Sequence, residues 1–319
     1  SIMNTFIKPR GKSTVTLFLL LAAFLAACAE DAEETVATAV RQLTVPPAAT
    51  ATEAQTLEPT LEPAAAPAEA PIYLAIIWHQ HQPVYFKDPE TNVYERPWVR
   101  MHAAKDYVDM AVILESNPEI HATYNLTPSL IQQLDDLASG AKDSYWVHTE
   151  IPAEELTDQQ KQFILDRFFD TNQRNIDRFP RYVDLWAKRH EGDALNTYTA
   201  DDFRDLQVLF NLAWTDPDWL AVEPLTGLVA RGSGFGEEDK AIVLNEHLRL
   251  IERVVPVHKA LQDAGQIEIT TTPVAHPILP LLVDVRLARE ALPDIELPGQ
   301  EFVYGQDAVA HVEKGVQQY

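Results

Sequence analysis

The run Trp78-His79-Gln80-His81-Gln82-Pro83 sets two imidazoles two residues apart, behind the apolar stretch Ile72 to Trp78. If that stretch is a strand, alternate side chains share a face. His79 and His81 then point one way, Gln80 and Gln82 point the other, and Pro83, which has no N–H, ends the ladder. Two imidazoles on one face can hold zinc, hydrogen-bond a polar ligand, or form a satisfied pair at a strand end. Polar groups close two further apolar runs. Asn125 and Thr127 end Ile120 to Leu126, and His276 stands before Pro277 after Ile267 to Val274. Arg100 and His102 fall between the first and second runs, at the start of a helix-like segment.

These positions need elements to hold them. Near-continuous apolar runs with β-branched and aromatic residues read as strands of a parallel sheet buried on both faces, and sites in such sheets collect at the carboxyl ends of the strands. Ala103, Tyr107, Met110, Ala111 and Leu114 recur at helical spacing, and Leu130 to Leu137 starts another helix, giving a β/α alternation. The stretch between Leu126 and Ile267 is far longer than a crossover requires, and it reads as helical. Thr157 with Gln160, and Thr199 with Asp202, are capping-box pairs ahead of apolar residues, and a long helix is expected from Glu237 to Ala264. The sequence thus predicts an α/β fold with a helical insertion from about 155 to 264, packed over the mouth of the sheet. Gly232-Ser233-Gly234-Phe235-Gly236 reads as a mobile loop; no strand precedes it and no Lys-Ser/Thr follows, so it is no phosphate cradle. His247 and His258 share one helical face and read as ordinary surface or core residues.

The histidine run resembles the first signature of glycoside hydrolase family 57. Pro97 to Tyr107, Tyr124 to Leu130, Phe210 to Trp214 and Thr271 to Leu282 are similar to further family segments, in the family's order. The resemblance covers roughly Ile72 to Tyr319. It implies a seven-stranded (β/α) barrel, here truncated, and retaining hydrolysis or transfer of α-linked glucans. It also implies that His79, His81, Gln82, Arg100, His102, Asn125, Trp214 and His276 contact the substrate, an oligosaccharide or polysaccharide. The family's nucleophilic glutamate and acid/base aspartate are expected beyond Tyr319. Retaining hydrolysis needs two carboxyl groups about 5 to 5.5 Å apart, and neither is assigned here. A lipid-anchored glycan-binding fragment without activity is the alternative. A zinc-dependent polysaccharide deacetylase is a weaker one, because no two histidines are four apart and no aspartate pair adjoins His79. No metal and no cofactor are expected. Trp78, Trp98 and Trp214 can each stack on a sugar ring, and Trp78, opposite the His79 face, reads rather as core.

Acids outnumber bases 48 to 25 over 319 residues, a net charge of -23, which argues against a nucleic-acid partner. The first 28 residues read as an export signal, with Lys8, Arg10 and Lys12 ahead of an apolar Val15 to Ala27. Leu25-Ala26-Ala27-Cys28 resembles a bacterial lipoprotein box. Cys28 is the single cysteine, so an internal disulfide is excluded and lipidation with a membrane anchor is expected. An ordinary signal peptide with a chance cysteine is the other reading. Residues 29–71, rich in Ala, Thr, Glu and Pro, bury too little to fold and read as an extended acidic tether.

Overall fold

The computed structural model describes residues 72–319. The export signal, Cys28 and the acidic tether lie outside the described residues.

Three strands, β1 (Ile77–Gln80), β4 (Ala122–Leu126) and β6 (Ile267–Thr270), form a parallel sheet in the order β1-β4-β6. A second, small sheet joins β2 (Lys87–Asp88), β3 (Val93–Tyr94) and β5 (Lys142–Asp143). Everything else of regular structure is helical. Among the described residues, therefore, three parallel strands of β/α type are present and do not close into a barrel, and no helix is long and apolar enough to cross a membrane.

The sheet differs from the expectation in one respect that bears on the site. Ile72 to Trp78 was expected to be a strand buried on both faces, yet pairing begins only near Ile76, whose carbonyl accepts from Thr123 N–H, and Ile77 and Trp78 are 67% and 45% exposed. Among the described residues β1 is an edge strand, and helices pack on one face of the sheet. On that face Ala122, Tyr124 and Ile267 pack with Ala111, Leu114, Val257 and Leu261. The opposite face carries Ile77, Thr123 and Glu268 in one row and His79, Asn125 and Thr270 in the next. β6 also stops earlier than expected, at Thr270 rather than Val274. Beyond it the Val274 N–H donates to the His311 carbonyl, and the His311 ring returns a bond to the Val274 carbonyl.

The β1-to-β4 connection runs through α1 (Trp98–His102), a π-helical turn (Ala103–Tyr107) and α2 (Val108–Glu115), one continuous rod. After β4 come α3 (Pro128–Ala138) and α4 (Ser144–Glu150), then α5 (Asp158–Arg167), α6 (Pro180–His190), α7 (Ala200–Ala213), α8 (Leu225–Arg231) and α9 (Glu237–Asp263). Both capping boxes form. Thr157 N–H donates to Gln160 Oε1 at 2.9 Å and Thr199 N–H to Asp202 Oδ2 at 2.7 Å, each reciprocated at the third helical residue. These helices bury their own core around Phe168, Tyr182, Phe203 and Phe210. Helix α9 is the spine: Val243 belongs to that core, Leu250 and Val254 to a second one shared with α3, and Val257 and Leu261 to the sheet. The glycine-rich loop ahead of α9 is pinned rather than free, because Phe235 is buried and its N–H donates to Asp205.

Helix α10 (Gly305–Gln318) lies against the loop after β6. A Cβ on Gly315 would stand 2.5 Å from the Thr272 carbonyl, so only glycine permits this approach. Residues 280–307 group apart from the rest; within them Val285 N–H donates to the Phe302 carbonyl and Tyr304 N–H to the Leu282 carbonyl.

Candidate functional site

His79, His81 and His276 meet at the carboxyl ends of β1 and β6. Their ring centroids are 5.7 Å apart for His79 and His81, 4.8 Å for His79 and His276, and 5.0 Å for His81 and His276. The central strand supplies the fixing partner. His79 Nδ1 lies 2.6 Å from Asn125 Oδ1, and the Asn125 amide donates to Thr270 Oγ1 at 3.0 Å, so one polar chain crosses all three strands. Because a carbonyl oxygen can only accept, His79 donates from Nδ1, which leaves Nε2 without a protein partner.

His81 stands beyond the end of β1, half-buried. Burial, reinforced by the neighbouring His276 and His79, pushes its imidazole below the ordinary histidine range. Its Nε2 is buried without a protein partner, as is Thr272 Oγ1 on the loop after β6. His276 follows Ala275 in a left-handed backbone: φ is 59° at Ala275 and 50° at His276, the region that a side chain disfavours by about 1–2 kcal/mol per residue. Strain of this kind collects where a side chain must be aimed. No carboxylate bonds or pairs with any of the three imidazoles among the described residues.

Gln82 is buried on the other side, as the alternation predicts. Its Nε2 donates to Tyr107 Oη at 2.9 Å, its Oε1 accepts from Tyr85 at 2.7 Å, and its backbone carbonyl accepts from Ser129. It therefore fixes the strand tip to the π-helical turn rather than presenting an amide to solvent. Burial pushes the Tyr107 phenol up to about 12, so this hydroxyl stays protonated.

Arg100 is not brought to the cluster. It is fully buried, with Nε 2.5 Å and Nη2 3.1 Å from the two Asp143 carboxylate oxygens, and Nη1 donating to Asn211 Oδ1 at 2.7 Å and to His247 Nδ1 at 2.9 Å. Arginine only donates, so His247 accepts at Nδ1 and gives its Nε2 proton to Thr215 at 2.9 Å. Burial, then the Arg100 charge, holds His247 well below the usual range. Four of the guanidinium's five N–H groups are thus spent within the protein, and its full burial keeps it from a sugar.

His102 and Trp214 form a separate, half-buried pair. His102 Nδ1 is 2.6 Å from Asp106 Oδ2, and its ring meets Trp214 edge to face at 5.5 Å. Sequence reading passed over Asp106, although four helical residues from His102 was a usable signal. It also passed over Asp143 and Thr270, which carried none. Among the described residues one group of three ligand-bearing side chains has its donor atoms within 4.8 Å of one another: Asp109, Asp216 and Asp218. Burial first, then mutual repulsion, raises the Asp109 and Asp216 carboxyls above the usual range.

A parallel sheet with imidazoles and an amide gathered at its strand tips and helices packed on one face is an α/β arrangement with a candidate ligand site at the carboxyl ends of its strands. The chain belongs to glycosyl hydrolase family 57, whose model matches residues 75–319. It is similar to a solved structure, the novel alpha-amylase AmyC from Thermotoga maritima, at 17% identity over 77% of this chain and 32% of that one, with a TM-score of 0.31. The chain spans about a third of the length of that protein. None of the curated proteins matches it.

Proposed function

We propose that the His79, His81 and His276 cluster is the sugar-binding part of a retaining glycoside hydrolase or glucanotransferase acting on α-linked glucans, on a barrel to which β1, β4 and β6 contribute. The reading rests on one observation: three imidazoles gather beyond the ends of two strands, one of them, His79, oriented through an amide on the strand between, at the end of a parallel sheet where ligands bind. Sugar hydroxyls both donate and accept, and a neutral imidazole with a fixed tautomer matches them. Bonds from these rings that strengthen as charge develops at the reacting carbon would orient the scissile sugar. The two carboxyl groups that retaining chemistry requires are not among the partners of this cluster, so the reading assigns it binding and orientation. Export and anchoring through Cys28 belong to the same proposal and rest on the sequence.

Calorimetric titration of the chain with maltoheptaose tests this. Binding is expected, without release of reducing sugar, and His79→Ala should weaken it about five- to tenfold, the loss of one hydrogen bond, with little change in melting temperature. Equal affinity in the variant refutes the assignment. Turnover that a chelator abolishes and zinc restores would make the histidines ligands instead.

A further inference from the structure

The row His79, Asn125 and Thr270 is set by strand register. His79 stands opposite Asn125 and Asn125 opposite Thr270, on the face of the sheet away from the core of Tyr124 and Ile267. Neighbouring strands lie about 4.8 Å apart, a gap that a carboxamide on the central strand bridges to either side. Its two ends differ, because Oδ1 only accepts and Nδ2 only donates. In this protein Oδ1 faces β1, 2.6 Å from His79 Nδ1, and Nδ2 faces β6, donating to Thr270 Oγ1 at 3.0 Å.

One hydrogen bond does not hold an amide in one direction. Tied to His79 alone, the Asn125 side chain turns about its terminal bond, a broad torsion, and offers N–H where the carbonyl stood, or swings clear of the ring. A second bond at the opposite end removes that freedom, and Thr270 supplies it. Among the described residues no other side chain bonds the Asn125 amide. Threonine is suited to the task, because β-branching stiffens its χ1 and keeps the hydroxyl where the strand places it. Thr270 is the last residue of β6, so its backbone is still fixed by pairing with Asn125. The hold passes from one edge of the sheet to the other on a single face, and it ends at a ring of the histidine cluster.

We propose that Thr270 is a positioning residue of the sugar site. Its hydroxyl anchors the Asn125 amide, the amide carbonyl holds the His79 ring by Nδ1, and the neutral ring meets a sugar hydroxyl with Nε2 as acceptor. Asn125 is then a link in this relay rather than the sugar contact that the family resemblance implies. The proposal rests on His79 being a sugar ligand. The hold of Thr270 on the His79 ring is independent of that reading and is measured separately.

Thr270 and His79 are both exposed, so substituting them opens no cavity. Calorimetric titration of the chain with maltoheptaose compares the wild type with Thr270→Val, Thr270→Ser, His79→Ala and the double variant Thr270→Val/His79→Ala. Thr270→Val should weaken binding about two- to threefold, the partial loss of one hydrogen bond, and Thr270→Ser, which keeps the hydroxyl, should restore most of it. In the His79→Ala background Thr270→Val should be silent, because a residue that acts through His79 has nothing left to act on. Nitrogen NMR of labelled histidine, without sugar, reads the ring directly. His79 should carry its proton on Nδ1 in the wild type and in Thr270→Ser, and move toward the tautomer mixture of a free imidazole in Thr270→Val. An unchanged His79 spectrum in Thr270→Val overturns the relay. An equal loss of affinity in both backgrounds makes Thr270 a direct sugar contact and overturns it as well. A spectrum that responds to Thr270→Val, while neither His79→Ala nor Thr270→Val alters glucan binding, upholds the hold on His79 and refutes the sugar reading of the cluster.

Discussion

A neutral imidazole gives a sugar one donor and one acceptor, whereas an imidazolium only donates, so the charge on the cluster governs what it can bind. His81 faces His79 and His276 with no carboxylate as partner, and burial and those neighbours keep it neutral below the usual range. His247 and His258 are displaced the same way, His247 by burial and Arg100, His258 by burial against the Val254 carbonyl bond that opposes it. For a base whose folded value is depressed, the unfolded chain takes up the proton first as pH falls. The stability is then complete above the unfolded value near 6.5 and declines from there down to the folded value. The melting temperature should therefore drop as pH falls from about 7.5 to about 5, and His258→Gln, which removes one of these sites, should flatten the slope. A melting temperature that rises on acidification contradicts the assignment. Glucan affinity should fall only as pH drops below the ordinary histidine value, where the displaced His81 takes up its proton and loses its acceptor.

At the scale of elements, Arg100 is the tie between pieces that are distant in sequence. It sits in α1 and bonds Asp143 at the start of α4, Asn211 in α7 and His247 in α9. Asp143 in turn caps α4 by accepting from Trp146 N–H at 2.8 Å. Removing one member of a buried ion pair leaves the other charge without compensation, which costs about 3–5 kcal/mol. Arg100→Met should lower stability by that order in urea unfolding, and Asp143→Asn by somewhat less because the amide still accepts. If Arg100→Met melts like the wild type while losing glucan affinity, the arginine is a sugar ligand after all. Features set by neighbouring residues could be read from the sequence, as the boxes at Thr157 and Thr199, the reach of α9 and the opposed faces of His79 and Gln82 show. The burial of Arg100 could not, because its three partners come from separate elements and no local pattern joins them. The lengths of β1 and β6 were overestimated for a related reason. Apolar content marks what can pair, but the partner strand decides where pairing starts, and Val274 bonds helix α10 instead of continuing β6.

Over the whole molecule, the net charge of -23 sets how the protein can meet a membrane. Anionic lipid surfaces repel such a chain, so charge cannot hold it there, and no described helix can span a bilayer. An anchor proposed at Cys28 would supply what charge cannot, since covalent lipid contributes about 0.8 kcal/mol per buried methylene, with two or more chains needed for stable anchoring. Cys28, the single thiol, follows Leu25-Ala26-Ala27, and the acidic stretch 29–71 would separate an anchor there from the folded residues. If Cys28 carries the acyl chains, washing the membranes of expressing cells with high salt should release none of the protein, while detergent should release all of it. Cys28→Ala should move the protein to the soluble fraction or leave it unprocessed, with the apolar Val15 to Ala27 still attached. These outcomes differ in size on a gel, since the uncleaved leader adds mass. A processed, full-yield Cys28→Ala protein that stays with the membrane through both washes would rule out the lipid anchor and leave a peripheral partner as the means of retention.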